Sequence, residues 1–333
     1  MIEARPASPF AVSVIVVSFN TRDLLRECLT ALLEECGRLS SGAAAEVLVI
    51  DNASSDGSAE MVAREFADSV RLLRSDVNLG FGVANNVAIE AAQGRHLVLL
   101  NSDAFFQPGA LARALEHLDS DPGAGIGGAR LVGRDGAPQP SARTFHSIAG
   151  AALVLSGLSD RIPLDATRMD RDTAAPAAVD WVTGAFMMVR REALARAGLF
   201  DPAFFLYFEE VDLCRRIHAA GFRVMYWPDV VVTHLGGESS RTLGEHVFSD
   251  GEAQVVLWRM RSTLLYFRKH HGWQVWLARW LEQSLLALRV VRNRFSRAPA
   301  RRARGREAAL LMRLMRQAWH ETEGGRVSPP RPW

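Results

Sequence analysis

The stretch VSVIVVSF at residues 12–19 is a run of β-branched and aromatic side chains broken only by serine. A run so short and so uniformly apolar reads as a strand covered on both faces, as in a parallel sheet. Directly after it, Asn20-Thr21 opens a different period. Leu24, Leu25, Cys28, Leu29, Leu32 and Leu33 share one face of a helix. Further on, Glu46–Ile50 is a second buried strand ending in Asp51-Asn52, Ser58–Phe66 a helix, and Val70–Leu73 a short strand. Phe81–Ala92 is again helical, and His96–Leu100 is an apolar strand ending in Asn101-Ser102-Asp103. Pro108 is expected to start a helix through Leu118, because proline suits a first turn. This alternation implies an α/β class with a mostly parallel central sheet flanked by helices. In such sheets ligands bind beyond the carboxyl ends of the strands. Three polar clusters fall at those ends: Ser18–Asn20, Asp51–Asp56 and Asn101–Asp103.

Downstream the pattern loosens. Residues 133–178 are rich in Gly, Pro and Ala without a period and read as a long connection. Trp181–Val189 is apolar, Leu206–Ala219 has a helical period, and Arg223–Trp227 and Val230–Thr233 read as two strands before His234. Beyond residue 250 the composition turns to Arg, Trp and Leu in helical patterns, so the chain divides into residues 1–250 and a helical region 251–333. The net charge of +2 conceals an asymmetry: residues 251–333 hold 17 Lys and Arg against 5 Asp and Glu, leaving 22 against 32 in residues 1–250. A basic tail on an acidic body suits an anionic partner. Trp273, Trp276 and Trp280 interleaved with Arg279, Arg289 and Arg292 are the pattern of an interfacial membrane helix. The same residues equally suit a helical subdomain packed on the body. RRARGR at 301–306 has no nucleic-acid fold around it, so nucleic acid is not an expected partner.

Hydrophobic residues at 48% and charged residues at 23% exclude a disordered chain. Cys28, Cys36 and Cys214 are odd in number and widely spaced, which fits buried small hydrophobes in a reducing compartment rather than disulfides. Met1–Pro9 lacks the pattern of a secretory signal, and no stretch reaches the roughly 18 apolar residues of a spanning helix; Ile148–Leu158 comes nearest. The expected location is the cytoplasm, peripheral to the inner face of the membrane.

Two acidic positions carry the chemistry. Asp103 directly follows a buried strand, where a carboxylate binds a divalent cation bridging two phosphates, or else merely caps the following turn. Glu209-Glu210-Val211-Asp212 sits among Phe204, Phe205, Tyr207 and Phe208. Desolvation there raises a carboxyl pKa and suits a general base. The alternative is a solvated helix face whose acids pair with Arg215 and Arg216.

Taken together and in order, VSVIVVSFNTRDLLRECL, EVLVIDNASSDGS, NLGFGVANN, LVLLNSD, VTGAFMMVRR and GLFDPAFFLYFEEVDLCRR resemble a family 2 glycosyltransferase of the GT-A fold. The resemblance is greatest to bacterial rhamnosyltransferase-like members that build O-antigen and cell-wall polysaccharides, and it covers residues 12–237. It implies that Val17 and Phe19 flank the nucleotide base, that Asp51 and Asn52 bind base and ribose, and that Asn78, Gly80 and Asn86 belong to the donor-binding segment. Asn101-Ser102-Asp103 takes the place of the family's Asp-x-Asp metal motif, with Asn at its first position. Ser102 and Asp103 then line the donor site, and Asp103 with His234 holds the metal, Mn²⁺ or Mg²⁺, the imidazole favouring Mn²⁺. Glu210 lies where the family has its catalytic base, with Glu209 as the other candidate. Trp181 and Gly184 line the acceptor side. The implied reaction is an inverting transfer from a dTDP- or UDP-sugar, dTDP-rhamnose foremost, to a glycan or polyprenyl-linked acceptor. Two other classes compete. A nucleotidyltransferase usually carries a Gly-rich basic loop after its first strand, which Ser18-Phe19-Asn20-Thr21 lacks; a non-catalytic scaffold has no need of Asp103, Glu210 and His234.

Overall fold

The computed structural model describes residues 8–40, 43–147, 175–235 and 250–330. Ile148–Leu158 therefore lies outside the described residues.

The strands predicted at the amino-terminal end form as expected. β1 (Val12–Ser18), β2 (Ala45–Asn52), β3 (Val70–Ser75) and β4 (His96–Asn101) are joined by α1 (Arg22–Cys36), α2 (Ser58–Glu65) and α3 (Phe81–Ala91). They pair in the order β3-β2-β1-β4, all parallel. Beyond β4 the sheet becomes mixed. β5 (Ala104–Phe106), α4 (Ala110–Ser120), β6 (Ala124–Val132), β7 (Pro138–Gln139) and β8 (Ala142–Arg143) are followed by β9 (Ala177–Val179), β10 (Trp181–Val182) and β11 (Phe186–Arg190). α5 (Arg191–Ala197), α6 (Glu209–Ala219) and β12 (Arg223–His234) complete this part. β11 inserts antiparallel between β4 and β6, and β12 runs parallel to β6 with antiparallel β5 on its far side. β8 and β10 form a separate small ribbon.

The largely apolar run of β1 has two faces to bury. Val12, Val14 and Val16 pack with α1, α2 and α4, whereas Ile15 enters the opposite layer with α3, α5 and α6. Each such fully buried side chain contributes about 1.5–3 kcal/mol.

Three boundaries differ from the sequence reading. The helix expected from Pro108 starts at Ala110, because Gly109 holds a left-handed φ of 78° that no helix tolerates. Its free N–H groups are met by the buried Glu35, which accepts from Gly109 and Leu111 at 3.1 Å each. The two strands expected at 223–233 are one, β12, with a register break between Trp227 and Val231. Pro228 lies in that break, where a missing N–H disrupts pairing. The helix expected from Leu206 begins only at Glu209, since Tyr207 and Phe208 are left-handed.

The basic region folds as α7 (Asp250–His271), α8 (Val275–Arg294) and α9 (Pro299–Glu321). Of the two readings of this region, packing holds for α7. Its Val256, Leu257, Met260, Leu264, Tyr266 and Phe267 are buried in the same core as β1 and α3, joined by Leu314, Met315 and Ala318 of α9. α8 is different: apart from Val275 and Leu286, its side chains are exposed or half-exposed. No helix among the described residues is long and apolar enough to cross a membrane.

Candidate functional site

The three polar clusters expected to share a site are tied together by hydrogen bonds across the carboxyl ends of β1, β2 and β4. Thr21 Oγ1 donates to Ser102 Oγ at 2.9 Å and lies 3.1 Å from Ser18 Oγ, joining β1 to β4. Asn20 N–H donates to Ser54 Oγ at 3.0 Å, and Ser55 N–H returns a bond to Asn20 Oδ1 at 2.8 Å, joining β1 to the loop after β2. Val17 stands in register with Ile50 and Asn101 on the neighbouring strands, and Phe19, just beyond the strand end, is 39% exposed.

Asp51 is buried. Its Oδ2 accepts from Ser54 N–H at 3.1 Å, while Oδ1 is buried with no hydrogen-bond partner among the described residues. Asn52 is fully occupied: Oδ1 accepts from Leu79 N–H at 2.8 Å, and Nδ2 donates to Asn78 Oδ1 at 2.9 Å and to Gly80 O at 3.3 Å. Asn78 Oδ1 also accepts from Gly80 N–H at 2.9 Å. Asn52 and Asn78 thus shape the loop after β3. Gly80 has φ of 77°, and a Cβ there would lie 2.1 Å from Phe205 O, so only glycine permits that contact. Asn86 is likewise committed, donating to Phe200 O at 2.8 Å and accepting from Phe200 N–H at 3.0 Å. The structure therefore makes Asn86 a clamp on the segment leading to α6.

Asp103 and His234 meet. Antiparallel pairing of β5 with β12 sets His234 opposite Ala104, and His234 Nε2 lies 3.5 Å from Asp103 Oδ1. The other ring nitrogen, Nδ1, is 3.0 Å from Gln139 Oε1, and Gln139 Nε2 donates to His234 O at 2.9 Å. A proton on Nδ1 directed at that amide oxygen leaves Nε2 with a free lone pair toward Asp103, the tautomer a metal ligand needs. One carboxylate and one imidazole suit a divalent cation whose other positions are filled by phosphate and water oxygens. Gln139 lies in the stretch without periodicity, and nothing in its sequence neighbourhood marks it.

Glu209 and Glu210 start α6 directly after the two left-handed residues Tyr207 (φ 67°) and Phe208 (φ 70°). Such a conformation is costly for bulky side chains and is characteristic of functional turns. Glu209 is buried and faces Gly82 of α3; Glu210 is half-buried. Each has an Oε2 atom buried without a hydrogen-bond partner among the described residues. Burial pushes Glu210 up from the ordinary 4.5 to about 7. Burial and then the Glu210 charge push Glu209 well above the ordinary carboxyl range. Neither is the solvated, Arg-paired acid of the alternative reading. That reading fits Asp212 alone in its pairing: it is buried, accepts from Arg216 Nε at 2.8 Å, and also binds Lys269 at 2.6 Å and His270 at 2.7 Å. Asp212 fastens α7 to α6.

An aromatic wall stands beside Glu210. Trp181 donates from Nε1 to Thr144 O at 2.8 Å and stacks on His146 at 5.6 Å. His146 in turn meets Phe208 at 4.7 Å, and Phe208 meets Tyr266 of α7 at 5.2 Å. Burial lowers His146 to about 4, so it is neutral there. Arg143 lies over the Trp181 ring at 5.9 Å and is close enough to oppose the rise in Glu210. A Cβ on Gly184 would lie 3.2 Å from the Phe81 ring, so glycine keeps that corner narrow. Arg143, His146 and Tyr266 are additions to the residues read from sequence.

Known proteins resemble the chain in sequence and in fold. The family model described as glycosyl transferase family 2 matches residues 13–197. The chain is similar to an N-acetylglucosaminyl-diphospho-decaprenol L-rhamnosyltransferase of Mycobacterium tuberculosis, at 29% identity over 90% of this chain and 97% of that one. It is also similar to the rhamnosyltransferase WbbL of Escherichia coli K12, at 26% identity over 57% of this chain and 70% of that one. Among solved structures it resembles the mannosyltransferase PcManGT of Pyrobaculum calidifontis in complex with GDP-Man and Mn²⁺ (TM-score 0.57, 20% identity, 95% of this chain and 89% of that one). S. aureus TarS with UDP-GlcNAc gives a TM-score of 0.51 at 14% identity over 92% of each chain. These likenesses identify the fold as GT-A, a mixed, mostly parallel sheet with helices on both faces. The family match spans more than half of the sequence and includes the first three strand ends of the site, and on that ground the chain is a glycosyltransferase belonging to glycosyl transferase family 2.

Proposed function

We propose that the chain transfers L-rhamnose, with inversion, from dTDP-rhamnose to a polyprenyl-diphosphate-linked sugar during synthesis of a cell-surface polysaccharide, working at the cytoplasmic face of the membrane. One observation carries this choice of sugar and acceptor: the similarity to the M. tuberculosis L-rhamnosyltransferase continues far past residue 197, where the family model ends, into the helices that flank Glu210.

The residues suit the chemistry. Asp51 Oδ1, a buried acceptor without a partner among the described residues, matches the single ring N–H of a thymine or uracil base, and Phe19 is exposed just past the neighbouring strand end. A divalent cation held by Asp103 and His234 would neutralise charge on the departing diphosphate. Glu210 accepts the proton of the acceptor hydroxyl as that oxygen bonds to C1 of the sugar and the bond from C1 to the diphosphate oxygen breaks. A single displacement of this kind inverts the configuration at C1. His146, half-buried and backed by the buried Trp181 and Tyr266 rings, supplies flat surface on which a sugar acceptor stacks.

The test is transfer to a short-chain polyprenyl-diphosphate GlcNAc acceptor from dTDP-rhamnose, dTDP-glucose, UDP-glucose, UDP-GlcNAc and GDP-mannose, each with Mn²⁺, Mg²⁺ or chelator. Transfer from dTDP-rhamnose that chelator abolishes is the expected result. Efficient transfer from another donor, with none from dTDP-rhamnose, overturns the reading.

A further inference from the structure

α8 carries an apolar stripe on its outer side. Trp273, Leu277, Trp280, Leu288, Val291 and Phe295 are 70%, 43%, 65%, 61%, 66% and 83% exposed. Leu277, Trp280, Leu288 and Val291 recur every three or four residues, with exposed Ser284 in the one gap, so they lie along one face of the helix, and Trp273 and Phe295 flank its two ends. The opposite side of α8 packs inward through Val275 and Leu286, and Asn293 lies against Gly305 of α9. The stripe is therefore a face left over after α8 has met its neighbours. Contiguous exposed apolar area of this kind marks an interaction surface.

The charge around the stripe identifies what it meets. Residues 283–306, the carboxyl half of α8 and the start of α9, contain eight arginines and no acid. All eight are exposed, and Arg294 lies over the Phe295 ring at 5.6 Å. Tryptophan, leucine and phenylalanine in line with unneutralised arginines are the composition of a helix lying in the headgroup layer of an anionic bilayer. A second copy of the chain fits less well, because pairing two such helices would bring both sets of arginines to one seam without the opposite charges that normally flank a helix pair. α8 also answers to α7. Its Glu282 lies close enough to Arg259 of α7 for their charges to interact.

We infer that the exposed face of α8, together with the arginines at the α8–α9 junction, binds the anionic headgroup surface of a lipid bilayer and holds the chain against it. The binding is independent of which sugar is moved, and rests on the proposed function only for its purpose, bringing Glu210 to a lipid-linked acceptor.

Flotation of the full chain with phosphatidylcholine vesicles, with and without 30% phosphatidylglycerol, tests this. The expected result is binding to the anionic vesicles alone, weakening as salt rises. Each basic residue near such a surface strengthens partitioning about fivefold, so Arg292→Ala with Arg294→Ala should weaken it about 25-fold. Trp280→Glu with Leu288→Glu should weaken it at least tenfold, with an unchanged melting temperature because both side chains are exposed. The inference is overturned if the wild type ignores anionic vesicles, or if the Trp280→Glu, Leu288→Glu variant floats like wild type. It is equally overturned if that variant only converts a dimer to a monomer on a sizing column, or if the wild type binds nucleic acid and not vesicles. Transfer to the short-chain acceptor separates the two proposals. Transfer without vesicle binding sinks this one alone, and vesicle binding without rhamnosyl transfer sinks the other alone.

Discussion

Glu209 and Glu210 show how one methylene-rich pair acquires two roles from its surroundings. Both are desolvated, but Glu210 keeps contact with the site while Glu209 faces α3. Burial and its neighbour's charge push Glu209 well up, and burial pushes Glu210 up to about 7. Removal of the base costs 10²- to 10⁴-fold in typical cases, so Glu210→Gln should lower turnover by about that factor, whereas Glu209→Gln should stay within about tenfold of wild type. The base must be ionised, so turnover should rise with pH through a limb near 7 that Glu209→Gln retains. Equal loss in both variants would contradict the assignment. Stability runs the other way. Between the ordinary 4.5 and about 7 the folded chain holds protons that the unfolded chain has released, so these carboxyls make stability fall as pH rises through that window. Melting temperatures from pH 5 to 8 should show a shallower fall for Glu210→Gln. At the other end of the site, the proposed cation would find two protein ligands among the described residues, Asp103 and His234. On that proposal a nucleoside diphosphate would supply further ligands, and linkage makes the effect reciprocal. Mn²⁺ titrated calorimetrically into the free chain should bind weakly, then more tightly with dTDP present. Ala at either position should abolish that gain.

At the scale of elements, the parallel strands were legible because β1, β2 and β4 are apolar on both faces and each ends in a polar cluster. The antiparallel insertion of β11 was not, since Phe186–Arg190 has the same apolar composition whichever way it runs. The start of α6 was misread for a local reason: Tyr207 and Phe208 continue the helical period in sequence, and only contacts with distant partners hold them left-handed. Phe208 packs on Tyr266, and Leu206 O accepts from Ser262 Oγ at 2.8 Å, both from α7. Gln139, Arg143 and His146 went unseen because a segment without periodicity gives no register from which to infer facing residues. Asp212 was legible only as an (i,i+4) partner of Arg216; its bonds to Lys269 and His270 cross 57 and 58 residues. Those bonds make the α6–α7 contact a test of this account. Asp212→Ala leaves Lys269, His270 and Arg216 without their shared carboxylate in a buried place, a change that costs about 3–5 kcal/mol. Denaturant unfolding should show that loss. Turnover should fall as well, because α7 carries the Tyr266 and Ser262 that hold the turn before Glu210.

For the whole molecule, the question is whether the boundary at residue 250 separates two folding units. The charge division suggests two bodies, an acidic one and a basic one, but the packing joins them. Val256, Leu257, Met260, Leu264, Leu265, Tyr266 and Phe267 of α7, with Leu314 and Met315 of α9, are buried in the layer that also holds Ile15, Ala84 and Leu99. At about 1.5–3 kcal/mol for each large side chain, losing their burial is a change at least as large as a typical net stability of roughly 5–15 kcal/mol in order of magnitude. Arg261 of α7 also donates to Glu321 of α9 at 2.6 Å, so the two helices stay together as one covering piece. We therefore expect residues 1–250 expressed alone to expose the core face that α7 covers, to bind a hydrophobic dye and to melt without a cooperative transition. The full chain should melt as one unit by calorimetry. A sharp transition for residues 1–250, with donor hydrolysis that depends on Mn²⁺, would instead establish a self-sufficient catalytic domain. In that case α7 would be a docked accessory, and the left-handed turn before Glu210 would have to be held by residues 1–250 themselves.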